Sequence, residues 1–115
     1  MASAPDPEDP VEARRLLIEL FDAGDYRITR RAQREGYLIL PRLALRPSDG
    51  ALIAYVLRLL RGGHPIRRML RGDPPDSLPR GWCMRNCDGS GLFIEMTIEE
   101  VRIGQQRAFL ISFHD

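Results

Sequence analysis

His114 is the residue of this chain best suited by type and position to move protons. It stands one residue from the C-terminus, at the end of an alternating stretch running from Arg107. An imidazole titrates near neutrality and serves as general acid or base wherever solvent or substrate can reach it; the alternative is a solvent-facing terminal histidine with no role. Cys83 and Cys87, with His64 and His114, make a poor zinc set, because the cysteine spacing spans a turn and no second pair exists. A Cys83–Cys87 disulfide belongs to an oxidising setting rather than to cytosol. The sequence carries no phosphate-binding glycine loop, no Gly-x-Ser-x-Gly elbow and no metal-protease helix motif. The expectation is therefore of no structural zinc, no disulfide and no cofactor.

All 17 basic residues of the 115 are arginine. The net charge of +1 conceals a division: residues 1–25 carry −5, residues 26–87 carry +9, and residues 88–115 carry −3. A GC-rich genome alone accounts for arginine bias. A guanidinium fork also grips phosphate oxygens bidentately and stacks on bases, which an ammonium does not. Composition does not separate these readings, but confinement of thirteen arginines to the middle segment adds weight to a polyanion-binding surface.

The elements that must position these groups are few. The length suits one domain, and 43% hydrophobic with 29% charged residues is ordinary for a globular chain. No apolar run approaches the ~18 residues of a spanning helix, and the proline-rich acidic start lacks the order of a secretory signal, so a cytoplasmic setting is expected. Residues 1–9 read as a disordered leader and 10–115 as the domain. Asp9, Pro10 and Glu12 mark a helix start; Val11, Leu16, Leu17, Leu20 and Phe21 follow at helical spacing, and Gly24 ends the run. Tyr26–Thr29 reads as a short edge strand, and Thr29 as the cap of a helix that Gly36 ends. Residues 37–45 resist assignment. Ser48 and Asp49 open a helix striped by Leu52, Tyr55, Val56, Leu59 and Leu60 and closed by Gly62-Gly63.

From there the period changes to 2. A proline- and arginine-rich loop leads to a strand at Trp82–Arg85, a turn at Asn86–Gly91, a long strand Leu92–Ile103, a turn at Gly104–Gln106 and a last strand Arg107–His114. On the long strand Leu92, Ile94, Met96 and Ile98 share one face, and Phe93, Glu95, Thr97 and Glu99 the other. On the last, Phe109, Ile111 and Phe113 point one way and Leu110, Ser112 and His114 the other. The fold class is α+β, with N-terminal helices on a small antiparallel sheet ending in a three-strand meander.

Particular residues in this order resemble the motility quorum-sensing regulator toxins, a branch of the RelE-type bacterial ribonuclease toxins. Asp22-Ala23-Gly24-Asp25-Tyr26-Arg27-Ile28-Thr29-Arg30-Arg31-Ala32 is similar to that family's first-helix exit. Pro65–Leu70, Trp82–Arg85, Leu92–Ile98 and Leu110–His114 follow in the family's order, so the resemblance spans residues 11–115 except 37–50. It implies a RelE-like fold and a metal-independent endoribonuclease, a hydrolase that cuts mRNA, free or on the ribosome, and is restrained by a cognate antitoxin. The family's lysine after the long helix falls on Arg68, flanked by Arg67 and Arg71. Its glutamine after the strand tryptophan falls on Cys83, its strand tyrosine on Phe93, and its terminal-strand lysine on His114. All four depart from the pattern: arginine keeps a charge, histidine gains a general base, phenylalanine loses a hydroxyl and cysteine loses an amide.

The chemistry is consistent with these residue types. Attack of a ribose 2′-hydroxyl on phosphorus needs a base, cations on the phosphorane and an acid for the leaving 5′-oxygen. His114 is the expected acid or base, Arg68 the phosphate clamp, Arg67, Arg71 and Arg85 further RNA contacts, and Phe93 or Trp82 the stacking face. Pairing around Gly104–Gln106 places Glu95 or Thr97 beside His114, with Phe93 one step further along. Two alternatives remain open. One is a relative that binds RNA or antitoxin without cleavage. The other is a PAS-type sensor, suggested by Asp88-Gly89-Ser90 before two long strands, which would place a strand within residues 11–23.

Overall fold

The computed structural model describes residues 9–69 and 81–115. Arg71 and the disordered-leader expectation for residues 1–8 lie outside the described residues.

Helix α1 spans Pro10–Ala23, and the Asp9 carboxylate accepts the Val11 N–H at 2.9 Å, with proline where a missing N–H costs nothing. Gly24 closes it at φ 83°, and the Asp25 N–H returns to the Leu20 carbonyl at 2.9 Å. The helix occupies the segment where a sensor fold requires a strand. Its core stripe is Ala13, Leu17, Leu20 and Phe21; Val11 is 71% exposed and takes no part.

Strand β1, Tyr26–Ile28, leads into helix α2, Arg30–Ile39, capped by the Thr29 hydroxyl accepting from the Ala32 N–H at 3.1 Å. Gly36 does not end this helix. It sits buried in the helix because a Cβ there would lie 2.3 Å from the Leu52 Cδ2, so the glycine lets α2 approach its neighbour closely. The unassigned stretch becomes the end of α2 and a 3-10 turn, Leu40–Leu43. Helix α3, Asp49–Arg61, is capped by Ser48 on the Ala51 N–H at 3.0 Å and buries Leu52, Ile53, Val56 and Leu60.

Among the described residues five strands form one sheet: β1, then β2 (Arg67–Met69), β3 (Gly81–Met84), β4 (Phe93–Arg102) and β5 (Gln105–His114). Their order across the sheet is β1-β5-β4-β3-β2. The fold is α+β, but the sheet is mixed rather than antiparallel, because β1 runs parallel to β5. Nor is it only a meander, since β1 and β2 extend it at its two edges. The core joins Leu17, Phe21, Leu52, Val56 and Leu60 to Trp82, Met84, Ile94, Met96, Leu110 and Phe113. Among the described residues no helix is long and apolar enough to cross a membrane.

The β4–β5 turn is tighter than the sequence suggests. Gln105 already pairs with Arg102, so the register moves and His114 stands opposite Phe93, with Glu95 opposite Ser112 and Thr97 opposite Phe109. A bulge lies between Glu95 and Met96, whose partners are Ser112 and Leu110, leaving Ile111 as the extra residue. The alternation of β5 therefore breaks at Ile111: Phe113 joins Leu110 in the fully buried core, while Phe109, Ser112 and His114 take the opposite face.

Candidate functional site

The turn after β3 is a wall braced by hydrogen bonds from its own side chains. Asn86 adopts φ 54°, and its amide oxygen accepts the Gly91 N–H at 2.9 Å. The Asp88 carboxylate accepts from the Ser90 hydroxyl at 2.6 Å, the Ser90 N–H at 3.0 Å and the Leu92 N–H at 3.1 Å. The bonds from Ser90, with help from the Leu92 N–H, bring that carboxyl down to about 2. Burial, with the Asp88 charge adding to it, pushes the Cys87 thiol up to about 12, so it carries almost no thiolate near neutrality and is no nucleophile. Both cysteines are free thiols, and Cys83 is buried.

Two concavities meet at this wall. One, of about 520 Å³, is lined by Arg85, Asn86, Gly91, Phe93 and His114. The other, of about 300 Å³, is lined by His64, Pro65, Arg67, Arg85 and Asn86. Arg85 and Asn86 belong to both, so the two form neighbouring compartments along one surface. Volumes of several hundred Å³ suit ligands the size of a nucleotide.

In the larger compartment the His114 and Phe93 rings lie 5.3 Å apart at 43°. The imidazole Nδ1 is 3.1 Å from the backbone oxygen of Asp115. That oxygen can only accept, so the neutral ring carries its proton on Nδ1 and keeps a lone pair on Nε2. Arg42 pairs with the Asp115 carboxylate, holding it below the usual carboxylate range and tying the strand end to the 3-10 turn. Glu95 is not the ladder partner of His114: it is buried and receives the Ser112 hydroxyl at 3.4 Å.

The smaller compartment contains a residue that sequence reasoning passed over as a weak metal ligand. The His64 Nε2 lies 2.8 Å from the Arg85 carbonyl, and its own carbonyl accepts from Arg14 at 2.6 Å. Arg14 also donates to the Leu60 carbonyl at 2.8 Å, fastening the exit of α3 to α1. The available signal was a titratable ring directly after Gly62-Gly63 and three residues before Arg67.

The remaining expected residues divide. Arg67 is exposed and lines the smaller compartment, and Arg85 lines both. Arg68 lies elsewhere: its guanidinium carbon is 4.8 Å from the Trp82 ring centroid, a cation–π contact. Neighbouring residues on a strand face opposite ways, so of these two arginines Arg67 is the one at the cavity, beside Arg85. Trp82 is fully buried in the core and offers no face for a base. Cys83, 1% exposed and paired between Arg67 and Glu95, is equally closed to a ligand. Among the described residues no three His, Cys, Asp or Glu side chains group to hold a metal ion.

No protein family, curated protein sequence or solved structure matches the chain.

Proposed function

We propose that this protein is an RNA-cleaving enzyme whose reaction uses side chains alone, and that it acts as the toxin of a bacterial toxin–antitoxin pair. The observation carrying the reading is the joint lining of one compartment by His114, Phe93 and Arg85, with Arg67 in the compartment beside it. These groups supply what single-stranded RNA needs: a π-face for an unpaired base, guanidinium groups for phosphate, and an imidazole with a free lone pair. The toxin role and the antitoxin partner rest on the family resemblance of residues 11–36 and 51–115.

RNA cleavage by purified protein, read from the ends of a mixed-sequence single-stranded oligonucleotide, tests the reading. His114→Ala should keep the fold and lose cleavage by the ~10²–10⁴-fold typical of a general acid or base. Undiminished cleavage and growth arrest with His114→Ala would exclude this mechanism. Binding of RNA by the wild type without any cleavage would instead favour the non-catalytic relative.

A further inference from the structure

The two histidines are held in matching ways. Each has one ring nitrogen on a backbone oxygen, His64 through Nε2 to Arg85 at 2.8 Å and His114 through Nδ1 to Asp115 at 3.1 Å. A backbone oxygen cannot donate, so each of these nitrogens bears the proton of the neutral ring. The opposite nitrogen, Nδ1 of His64 and Nε2 of His114, is left with the lone pair. Both rings are half-buried, and they border adjoining compartments whose shared wall is Arg85 and Asn86. Arg67 stands on the His64 side, so cations lie where a phosphate linking the compartments would sit.

We infer that His64 is the second catalytic residue, the general acid to the general base His114, and that one phosphodiester of single-stranded RNA spans the two compartments. The inference rests on the proposed RNA-cleaving function. Phe93 takes the base of the nucleoside whose 2′-hydroxyl attacks, because it is the aromatic residue beside His114. His114 Nε2 removes the 2′-hydroxyl proton as the O2′–P bond forms. Arg85 and Arg67 carry the charge of the phosphorane. His64, entering as the imidazolium, keeps its Nε2–H on the Arg85 carbonyl and gives its Nδ1 proton to the departing 5′-oxygen as the P–O5′ bond breaks. The products are a 2′,3′-cyclic phosphate and a 5′-hydroxyl. One proton is taken and one given, and exchange with water resets both rings. A chain lacking the 2′-hydroxyl provides no nucleophile, so DNA is not cut.

The test uses the full chain and two RNA oligonucleotides, one unmodified and one with sulfur in place of the bridging 5′-oxygen. A thiolate leaves without a proton, so that substrate needs the base and not the acid. His64→Gln is the informative variant, since its amide still donates to the Arg85 carbonyl but carries no transferable proton; unchanged circular dichroism and melting temperature confirm its fold. His64→Gln should lose ~10²–10⁴-fold on unmodified RNA and return to within about tenfold of wild type on the sulfur substrate, whereas His114→Ala stays slow on both. Wild-type rates for His64→Gln on unmodified RNA would overturn the inference and leave the RNA-cleaving function standing. So would a loss that the sulfur substrate does not relieve. A wild-type protein that cleaves neither oligonucleotide would overturn the RNA-cleaving function itself.

Discussion

The carboxylate of Glu35, on α2, accepts the backbone N–H of Phe113, on β5, at 3.1 Å across 78 residues of sequence. Thr29, at the start of the same helix, gives its hydroxyl to the Ile111 carbonyl at 3.1 Å while accepting from Ala32. Together they satisfy backbone groups at the bulged residue and just beyond it, where β5 changes phase. The side on which His114 emerges is therefore set by a helix far away in sequence.

Glu35→Ala should leave the Phe113 N–H unsatisfied and cost about 1–3 kcal/mol, whereas Glu35→Gln, which keeps an acceptor oxygen, should cost less. Urea unfolding of the two variants measures the difference, and equal stabilities would show that the bond does not hold the bulge.

Gly36→Ala weighs helix propensity against space. Alanine gains up to about 1 kcal/mol in a helix interior, but its Cβ would fall 2.3 Å from Cδ2 of Leu52, a side chain with no exposed surface into which to retreat. Overpacking of this kind costs roughly 1–3 kcal/mol. A net loss of stability is expected, partly relieved by adding Leu52→Val; a rise in melting temperature for Gly36→Ala alone would contradict the close α2–α3 contact.

Acid stability should contain a contribution from Asp88. Its carboxyl titrates at about 2 when folded against 3.8 ordinarily, so the folded state binds fewer protons in that interval. The stabilisation is complete above the unfolded value and disappears as pH falls through the folded one. Asp88→Asn should flatten the pH dependence of the urea midpoint between about 4 and 2. Parallel curves for wild type and variant would refute the assignment.

The arginines should separate into two kinds. Arg67→Ala with Arg85→Ala should weaken RNA binding and reduce the slope of log affinity against log salt by about 1.4, at ~0.7 per phosphate contact on a single strand. Arg68→Ala should instead lower stability through loss of the contact with Trp82, by about 0.5–2 kcal/mol, and leave the salt slope unchanged. Fluorescence-anisotropy titrations over a range of salt, beside thermal melts, distinguish the two.

What was legible in the sequence was local. Asp9, Thr29 and Ser48 announce their helices because a cap is read within three residues of itself. Gly36 misleads for the opposite reason: its use is spatial, toward Leu52, and no nearby residue reports it. Strand β2, three residues of which two are arginine, shows no alternation to recognise. The bulge at Ile111 depends on Thr29 and Glu35, so strict alternation sends Phe113 to the wrong face. At the site, Phe93 and His114 were expected on one face, but their direct pairing follows from the tight turn together with the register shifts at Glu100/Arg102 and Glu95/Met96. His64 escaped because its carbonyl partner, Arg85, lies 21 residues on.

The position of β5 between β1 and β4 also dictates an order of events during synthesis. Tyr26, Arg27 and Ile28 leave the ribosome early, yet their ladder partners are Ala108, Phe109 and Leu110. At a translation rate of ~5–20 residues per second, β1 waits several seconds for its neighbour, and β4 spends part of that time with one edge bare. The segment carrying His64 and Arg67 emerges first, and His114 arrives only with the strand that completes the sheet. Until then the concavity lined by Phe93 and His114 has no second wall, so it forms only when the sheet is whole.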